Sequence, residues 1–256
     1  MDAKQTSTPD QALIVGASRG IGLAWVEHML KLSPSVQVIA AARSVSTNEA
    51  LAALEQAHPG QLTRIDMDIT DEESVARAVA SVKDQSLGMV VNTTGVLHDS
   101  SMGVFPEKRL EDLKWSSFES LMRINAFSNA VLLAQLLPKF KKDQPTYFAA
   151  LSARVGSISD NRIGGWYSYR ASKAALNQII KTASIETKRR YPQLILAALH
   201  PGTTDTDLSK PFQANVPAEK LFTPQFVAER LMSVLMGLTP EDSGGFFAWD
   251  GQSIPY

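Results

Sequence analysis

Short runs rich in Val, Ile, Leu and Ala alternate along this chain with longer segments at helical period. That alternation constrains the fold more than any other feature, because parallel strands buried on both faces need crossover helices between them. Strands are predicted over residues 12–15, 36–42, 61–66, 89–92, 146–152, 194–200 and 245–249. Helices are predicted over 21–32, 48–58, 71–83, 116–137, 169–190 and 224–236. The result is one doubly wound α/β domain with a seven-stranded, mainly parallel sheet and helices on both faces. No linker, repeat or low-complexity tract divides it, so residues 11–256 are read as a single domain behind a flexible tail of residues 1–10.

Composition excludes several functions. The 25 Lys+Arg residues balance 26 Asp+Glu, which leaves no basic field for a nucleic-acid backbone. With no Cys there is no disulfide, thiolate nucleophile or thiolate-bound metal. His28, His58, His98 and His200 lack metal-ligand spacing, so no metal is expected. The longest apolar stretch, around 130–137, falls far short of the ~18–20 residues that span a bilayer, and the N-terminus has no apolar signal core. A cytoplasmic location with no membrane partner is the expectation. Thr70-Asp71-Glu72-Glu73 has the form of a capping box opening the third helix. Two stretches, 96–114 and 203–223, are long for connections and follow strand ends, where open α/β sheets bind ligands. They are expected to be substrate loops.

The first strand runs into Gly16-Ala17-Ser18-Arg19-Gly20-Ile21-Gly22 and then a helix. A glycine turn here lets the backbone approach a pyrophosphate while the helix N-terminus supplies free N–H groups. Its spacing is G-x-x-x-G-x-G rather than G-x-G-x-x-G, and a glycine cluster alone is as well read as a tight turn. At the end of the second strand, where an acid would bind a ribose 2′-hydroxyl, the chain reads Ala40-Ala41-Ala42-Arg43-Ser44. Arg43, with Arg19, suits a 2′-phosphate, so NADP(H) is favoured over NAD(H) as cofactor. The fold is then of Rossmann type.

Tyr169 and Lys173 lie four residues apart, on one face of a helix. A cation there is expected to favour the phenolate, lowering the Tyr169 pKa and making it a usable proton donor. Taken alone, such a pair usually marks a surface helix. Tyr167 lacks a cation four residues on. Met102, Phe105, Trp166, Phe212 and Trp249 are candidates for an apolar substrate wall, and equally for ordinary core. Arg154 either meets an acidic substrate group or is solvated.

In this order the motifs resemble the short-chain dehydrogenase/reductase family across nearly the whole chain. Gly16, Ser18, Arg19, Gly20, Ile21 and Gly22 resemble its T-G-x-x-x-G-I-G loop, with Val15 for Thr. Asp68 matches its adenine-contacting Asp, and Asn92-Thr93-Thr94-Gly95 its N-N-A-G segment. Asn125 matches its catalytic Asn, Tyr169 and Lys173 its Tyr-x-x-x-Lys, and the stretch from Pro201 and Gly202 to Thr206 its P-G-x-x-x-T. A narrower likeness, to the C-factor and sniffer-type carbonyl reductases, rests on residues 152–158, 164–169 and 250–255.

The resemblance implies hydride transfer between a nicotinamide and a small carbonyl or alcohol, with Tyr169 as acid/base. Lys173 would hold the ribose, Asn125 would position a water, and Asn92, Gly95 and the Pro201–Thr206 segment would contact the cofactor. One position departs. The family ends its fifth strand with two hydroxyl residues, whereas Ser152 is followed here by Ala153. Either Ser152 takes the catalytic role or Ser157 supplies the hydroxyl. An NADP(H)-binding regulator with little or no activity is the rival reading. The helices over 116–137 and 169–190 are apolar on more than one face, which suggests a homo-oligomer, dimer or tetramer.

Overall fold

The computed structural model describes residues 9–256. Its strands are β1 (Gln11–Val15), β2 (Gln37–Ala42), β3 (Leu62–Asp66), β4 (Met89–Asn92), β5 (Thr146–Leu151), β6 (Leu194–His200), the short β7 (Thr203–Thr204) and β8 (Leu221–Phe222), and β9 (Gly245–Ala248). The helices are α1 (Gly20–Leu32), α2 (Glu49–Ala57), α3 (Glu72–Ala80), α4 (Trp115–Met122), α5 (Ser128–Leu136), α6 (Tyr167–Thr187) and α7 (Pro224–Gly237). Seven strands form one sheet in the order β3-β2-β1-β4-β5-β6-β9, and every pairing is parallel. The expected "mainly parallel" sheet is therefore wholly so. The direction of winding reverses between β1 and β4, which opens a crevice at the carboxyl ends of the strands.

Each face of the sheet carries its own core. Ile14, Trp25, Met29, Leu231 and Leu235 pack between the sheet and α1 and α7. Leu13, Val90, Phe148, Leu132, Leu136, Ile180 and Leu196 fill the opposite face, under α3, α5 and α6. The near-continuous apolar strands are the direct consequence of burial on both sides.

Three local expectations are corrected. The helix predicted over 116–137 is broken by a five-residue π-helical turn, Arg123–Phe127. The wider turn frees backbone carbonyls, and side chains satisfy them: Ser128 Oγ donates to the Ile124 oxygen at 2.7 Å and Asn129 Nδ2 to the Asn125 oxygen at 3.1 Å. The cap of α3 is Asp71, which accepts the Glu73 N–H at 3.1 Å; the Thr70 hydroxyl instead donates to Asp68 at 2.7 Å. Of the expected tail, residues 1–8 lie outside the described residues, but Pro9 is buried and Asp10 is held, its oxygen accepting the Gln37 N–H at 2.8 Å. The ordered chain thus begins before residue 11.

The long connections have structure of their own. Residues 203–223 hold the parallel β7–β8 pair and two 3-10 turns, and residues 96–114 a bridge between Asp99 and Val104. No helix among the described residues is long and apolar enough to cross a membrane. Trp25 has no solvent exposure in the first core. Trp25→Ala is expected to lower stability by about 3–5 kcal/mol, read from urea denaturation, because the cavity it leaves can relax only in part.

Candidate active site

The turn after β1 is closed so tightly that two of its glycines are obligatory. Gly16 has a φ of +82°, and a Cβ there would sit 2.6 Å from Thr93 Oγ1. A Cβ on Gly22 would collide with the Gly16 carbonyl oxygen. The first turn of α1 has no capping side chain and no acidic residue, so its N–H groups remain available to an anion. Ser18 contributes its carbonyl, which accepts from Asn48 Nδ2 at 3.0 Å. Thr206 reaches the turn from the other side of the crevice, its Cγ2 3.2 Å from where a Gly20 Cβ would be.

The two arginines differ. Arg19 pairs with Asp207 of the 203–223 segment at 2.8 Å, with both side chains exposed. Arg43 is exposed at the end of β2, makes no ion pair or hydrogen bond among the described residues, and lies near Asp68 and Asp99. Burial opposes ionisation of Asp68, but the Thr70 hydroxyl and amide, then Arg43 and Arg123, hold its carboxyl below the usual range.

Deeper in the crevice, asparagines form a chain. Asn92 Nδ2 donates to Asn129 Oδ1 at 2.7 Å, and Asn92 Oδ1 accepts the Thr94 amide at 3.0 Å and hydroxyl at 2.7 Å. The Asn92 side chain is thus committed to the protein. Asn125, at the centre of the π turn, pairs with both backbone groups of Val96 at 2.8 Å and donates to Ser172 Oγ at 3.0 Å. Both its amide hydrogens are occupied. Gly95 allows this crowding: a Cβ there would be 3.3 Å from Lys173 Nζ and 3.6 Å from Asn125 Oδ1.

Tyr169 and Lys173 share the buried face of α6, at 6% and 3% exposure. Lys173 Nζ donates to the Leu151 oxygen at 2.8 Å and lies 5.7 Å from the centre of the Tyr169 ring. The Tyr169 hydroxyl makes no hydrogen bond among the described residues. Burial pushes the Tyr169 phenol up and the Lys173 ammonium down to about 8. The expectation of a lowered Tyr169 pKa is overturned, since desolvation outweighs the cation at this separation.

The two candidate serines differ: the Ser152 hydroxyl hydrogen is committed, whereas Ser157 is held as an acceptor, 3.5 Å from Ser159 Oγ. Ser152 donates its hydroxyl to Asn177 Oδ1 at 2.7 Å, and Ser157 Oγ accepts the Asp160 N–H at 3.1 Å. The residues of this turn that pack in the apolar cluster with Tyr169 are Ala153 and Val155. Leu97, Val104, Leu121, Trp166, Leu208 and Phe212 complete that cluster. Trp166 packs edge-on against Tyr169 at 6.2 Å and Phe212 at 5.0 Å, and His98 meets Phe212 at 5.7 Å. The 96–114 and 203–223 segments therefore meet through His98 and Phe212, and Trp166 links Phe212 to Tyr169. Of the proposed wall, Trp166 and Phe212 are in place; Met102 and Phe105 are exposed, and Trp249 packs on Phe222 and Phe226. A Cβ at Gly202 would strike Phe222, which fixes the Pro201-Gly202 turn against that group.

Arg154 pairs with Asp160 at 3.2 Å, and its N–H donates to His200 Nδ1 at 3.3 Å. Burial, then Arg154, lowers His200 to about 4 against the opposing pull of Asp250. Sequence reading missed Glu107, a buried carboxylate bonded to Ser168 at the start of α6. Trp166 reads from the sequence only as a wall candidate; its left-handed backbone at φ +53°, just before the helix, is not foreseen there. The Gly164-Gly165 pair, both at positive φ, is the one signal of that sharp entry.

The family profile described as short chain dehydrogenase matches residues 10–217. The chain belongs to the short-chain dehydrogenase family. As such it is an oxidoreductase by descent. The 1-hydroxy-2-glutathionyl-2-methyl-3-butene dehydrogenase of Rhodococcus sp. (strain AD45) is 31% identical over 95% of this chain and 98% of its own length. C-signal of Myxococcus xanthus is 33% identical over 57% of this chain and 83% of that protein. Among solved structures, this short-chain dehydrogenase is similar to the NADPH-bound carbonyl reductase from chicken fatty liver, with a TM-score of 0.85, 26% identity and coverage of 98% and 100%. It shares the fold of the carbonyl reductase Sniffer of D. melanogaster, with a TM-score of 0.84, 22% identity and coverage of 97% and 100%.

The buried lysine gives a pH test with a definite sign. Its folded pKa of about 8 lies below the usual lysine value, so the unfolded chain binds more protons between the two. The Lys173 contribution to stability is present above about pH 10.4 and is lost as pH falls towards 8. Tyr169, raised above its ordinary value, acts in the opposite sense, and only above about pH 10. Between pH 8 and 10 the stability of the protein relative to Lys173→Met is expected to rise by about 1.4 kcal/mol per pH unit, measured by urea denaturation at stepped pH.

Proposed function

We propose that this short-chain dehydrogenase is an NADP(H)-dependent reductase that interconverts a small carbonyl compound and its alcohol. The observation that carries the reading is the burial of Tyr169 beside Lys173, with an unpartnered phenol under an apolar roof at the sheet's carboxyl edge. The residues suit a dinucleotide. Gly16, Ser18, Arg19, Gly20, Ile21 and Gly22 form a cradle too tight for a Cβ at two points, beside an uncapped helix N-terminus. Arg43, with no carboxylate bonded to it, suits a 2′-phosphate, and Asp68 the adenine end. The segment from Asn92 to Gly95, Lys173, and the stretch from Pro201 and Gly202 to Thr206 would hold the nicotinamide half. The NADPH bound by the similar chicken carbonyl reductase supports the same cofactor here.

When bound, the nicotinamide supplies or accepts hydride. Tyr169 donates the proton to the carbonyl oxygen. Burial raises its pKa, so the phenol carries its proton at neutral pH. Lys173 holds the ribose, and its bond to Leu151 draws the ammonium to the carboxyl end of β5. The Asn125 side chain fixes the backbone at Val96, and so the floor under Lys173. Ala153 puts a methyl group where the family carries its second hydroxyl; unless Ser157 supplies that donor, its loss typically slows catalysis about 10²–10³-fold. The same methyl group, with the C-signal relative, supports the alternative of an NADP(H)-binding regulator.

A second copy of the chain is proposed to cover the groove between α5 and α6, lined by Ala130, Leu133, Ala134, Ile179 and Ala183, with Phe127 and Ile185 exposed beside it. Sedimentation velocity is expected to show a dimer or tetramer; a monomer at micromolar concentration would refute that arrangement. Purified protein with NADPH and a panel of aldehydes, ketones and quinones is expected to turn over. Tyr169→Phe should abolish that turnover, and Arg43→Ala should weaken NADPH binding while leaving NADH unchanged. Tight NADPH binding with no turnover on any compound would instead establish the regulator.

A further inference from the structure

The helix that carries Tyr169 and Lys173 begins without a cap of its own. Trp166 stands at its N-cap in the left-handed region, makes no capping hydrogen bond, and the first turn holds no acidic residue. The groups left open by such a start need partners from elsewhere when the end is buried. They come from the 96–114 loop. Glu107, at 3% exposure, accepts the Ser168 N–H at 3.2 Å on one carboxylate oxygen and the Ser168 hydroxyl on the other. The Glu107 backbone oxygen accepts the Trp166 N–H at 2.6 Å, and a Cβ on Gly165 would stand 3.4 Å from that same oxygen.

No lysine or arginine pairs with this carboxylate among the described residues. Its charge is met by the two Ser168 donors and the positive end of the helix. Arg170 turns the other way, its guanidinium donating to the carbonyls of Gly165 at 2.9 Å, Gly164 at 3.1 Å and Val155 at 3.3 Å. Ser168 is fully buried and is followed directly by Tyr169.

We infer that Glu107 is a positioning residue for the proton donor: a cap supplied by the substrate loop that fixes the first turn of α6 and, through Ser168, the place of the Tyr169 hydroxyl. It also couples the two halves of the site. The loop that contributes Leu97 and Val104 to the chamber is seated by the same residue that seats the phenol. A loop displaced by an ill-fitting substrate would thus displace the acid as well.

This inference rests on the reductase reading, and the experiment separates the two. Wild type, Glu107→Ala, Glu107→Gln and Ser168→Ala are compared by steady-state kinetics with NADPH and the best carbonyl of the panel, and by amide hydrogen exchange of residues 167–173 in the protein alone. Glu107→Gln keeps an oxygen for the Ser168 N–H and an N–H for its hydroxyl. The expectation is faster exchange of that segment and a kcat lowered about tenfold to a hundredfold in Glu107→Ala, with the KM for NADPH unchanged. Glu107→Gln should recover most of both, and Ser168→Ala added to Glu107→Ala should cost little more. Unchanged exchange in Glu107→Ala would overturn the cap. Faster exchange with unchanged kcat, or equal losses in Glu107→Ala and Glu107→Gln, would overturn the positioning role. Absence of wild-type turnover would sink the reductase reading and that role with it, while exchange still decides the cap.

Discussion

The bond from Lys173 Nζ to the Leu151 carbonyl, deep at the end of β5, is the contact on which the site depends. It joins α6, which carries Tyr169, to the end of β5, and it is made in a place nearly closed to water. Two glycines make it possible. Gly95 leaves room for the ammonium, and Gly156 lets the turn after β5 lie against the Lys173 stem, where a Cβ would sit 2.7 Å from Lys173 Cβ. The burial that shapes the contact also sets its protonation: both Tyr169 and Lys173 are driven towards their neutral forms.

Around that bond, the asparagines turn backbone irregularity into rigidity. A π turn in the helix between β4 and β5 releases carbonyls, and Asn129 takes up one of them while also receiving the Asn92 amide. Asn125 then pairs with Val96 as a neighbouring strand would. The side chains of Asn92, Asn125 and Asn129 all find partners, and each buried polar group left alone would cost about 1–3 kcal/mol. The irregular turn is therefore a fixed part of the site.

The upper half of the crevice is built differently. Its contacts are between loops, through the Arg19–Asp207 pair, the meeting of His98 with Phe212, and the seat of Glu107 on Ser168. The first of these is exposed and so contributes little to stability. The last is buried. The loop over 96–114 is accordingly anchored at its Glu107 end, while Met102 and Phe105 within it remain open to solvent.

Periodicity in the sequence was enough for the seven strands and a mainly parallel sheet, because strands buried on both faces are joined by crossover helices; their order, with the reversal between β1 and β4, came only from the fold. It was enough also for the glycine turn and the spacing of Tyr169 and Lys173, since both depend on contacts within a few residues. The break at Arg123–Phe127 was not legible, because a π turn is paid for by partners such as Asn92, 37 residues away from Asn129 in the chain. Nor was the commitment of Ser152 to Asn177, or of Arg19 to Asp207, because the fold has to bring together residues 25 and 188 positions apart. The direction of the Tyr169 shift depended on burial, which has no local signature. Glu107 carries no motif at all; only the folded chain brings it, 61 residues before Ser168, onto the end of the helix that holds Tyr169 and Lys173.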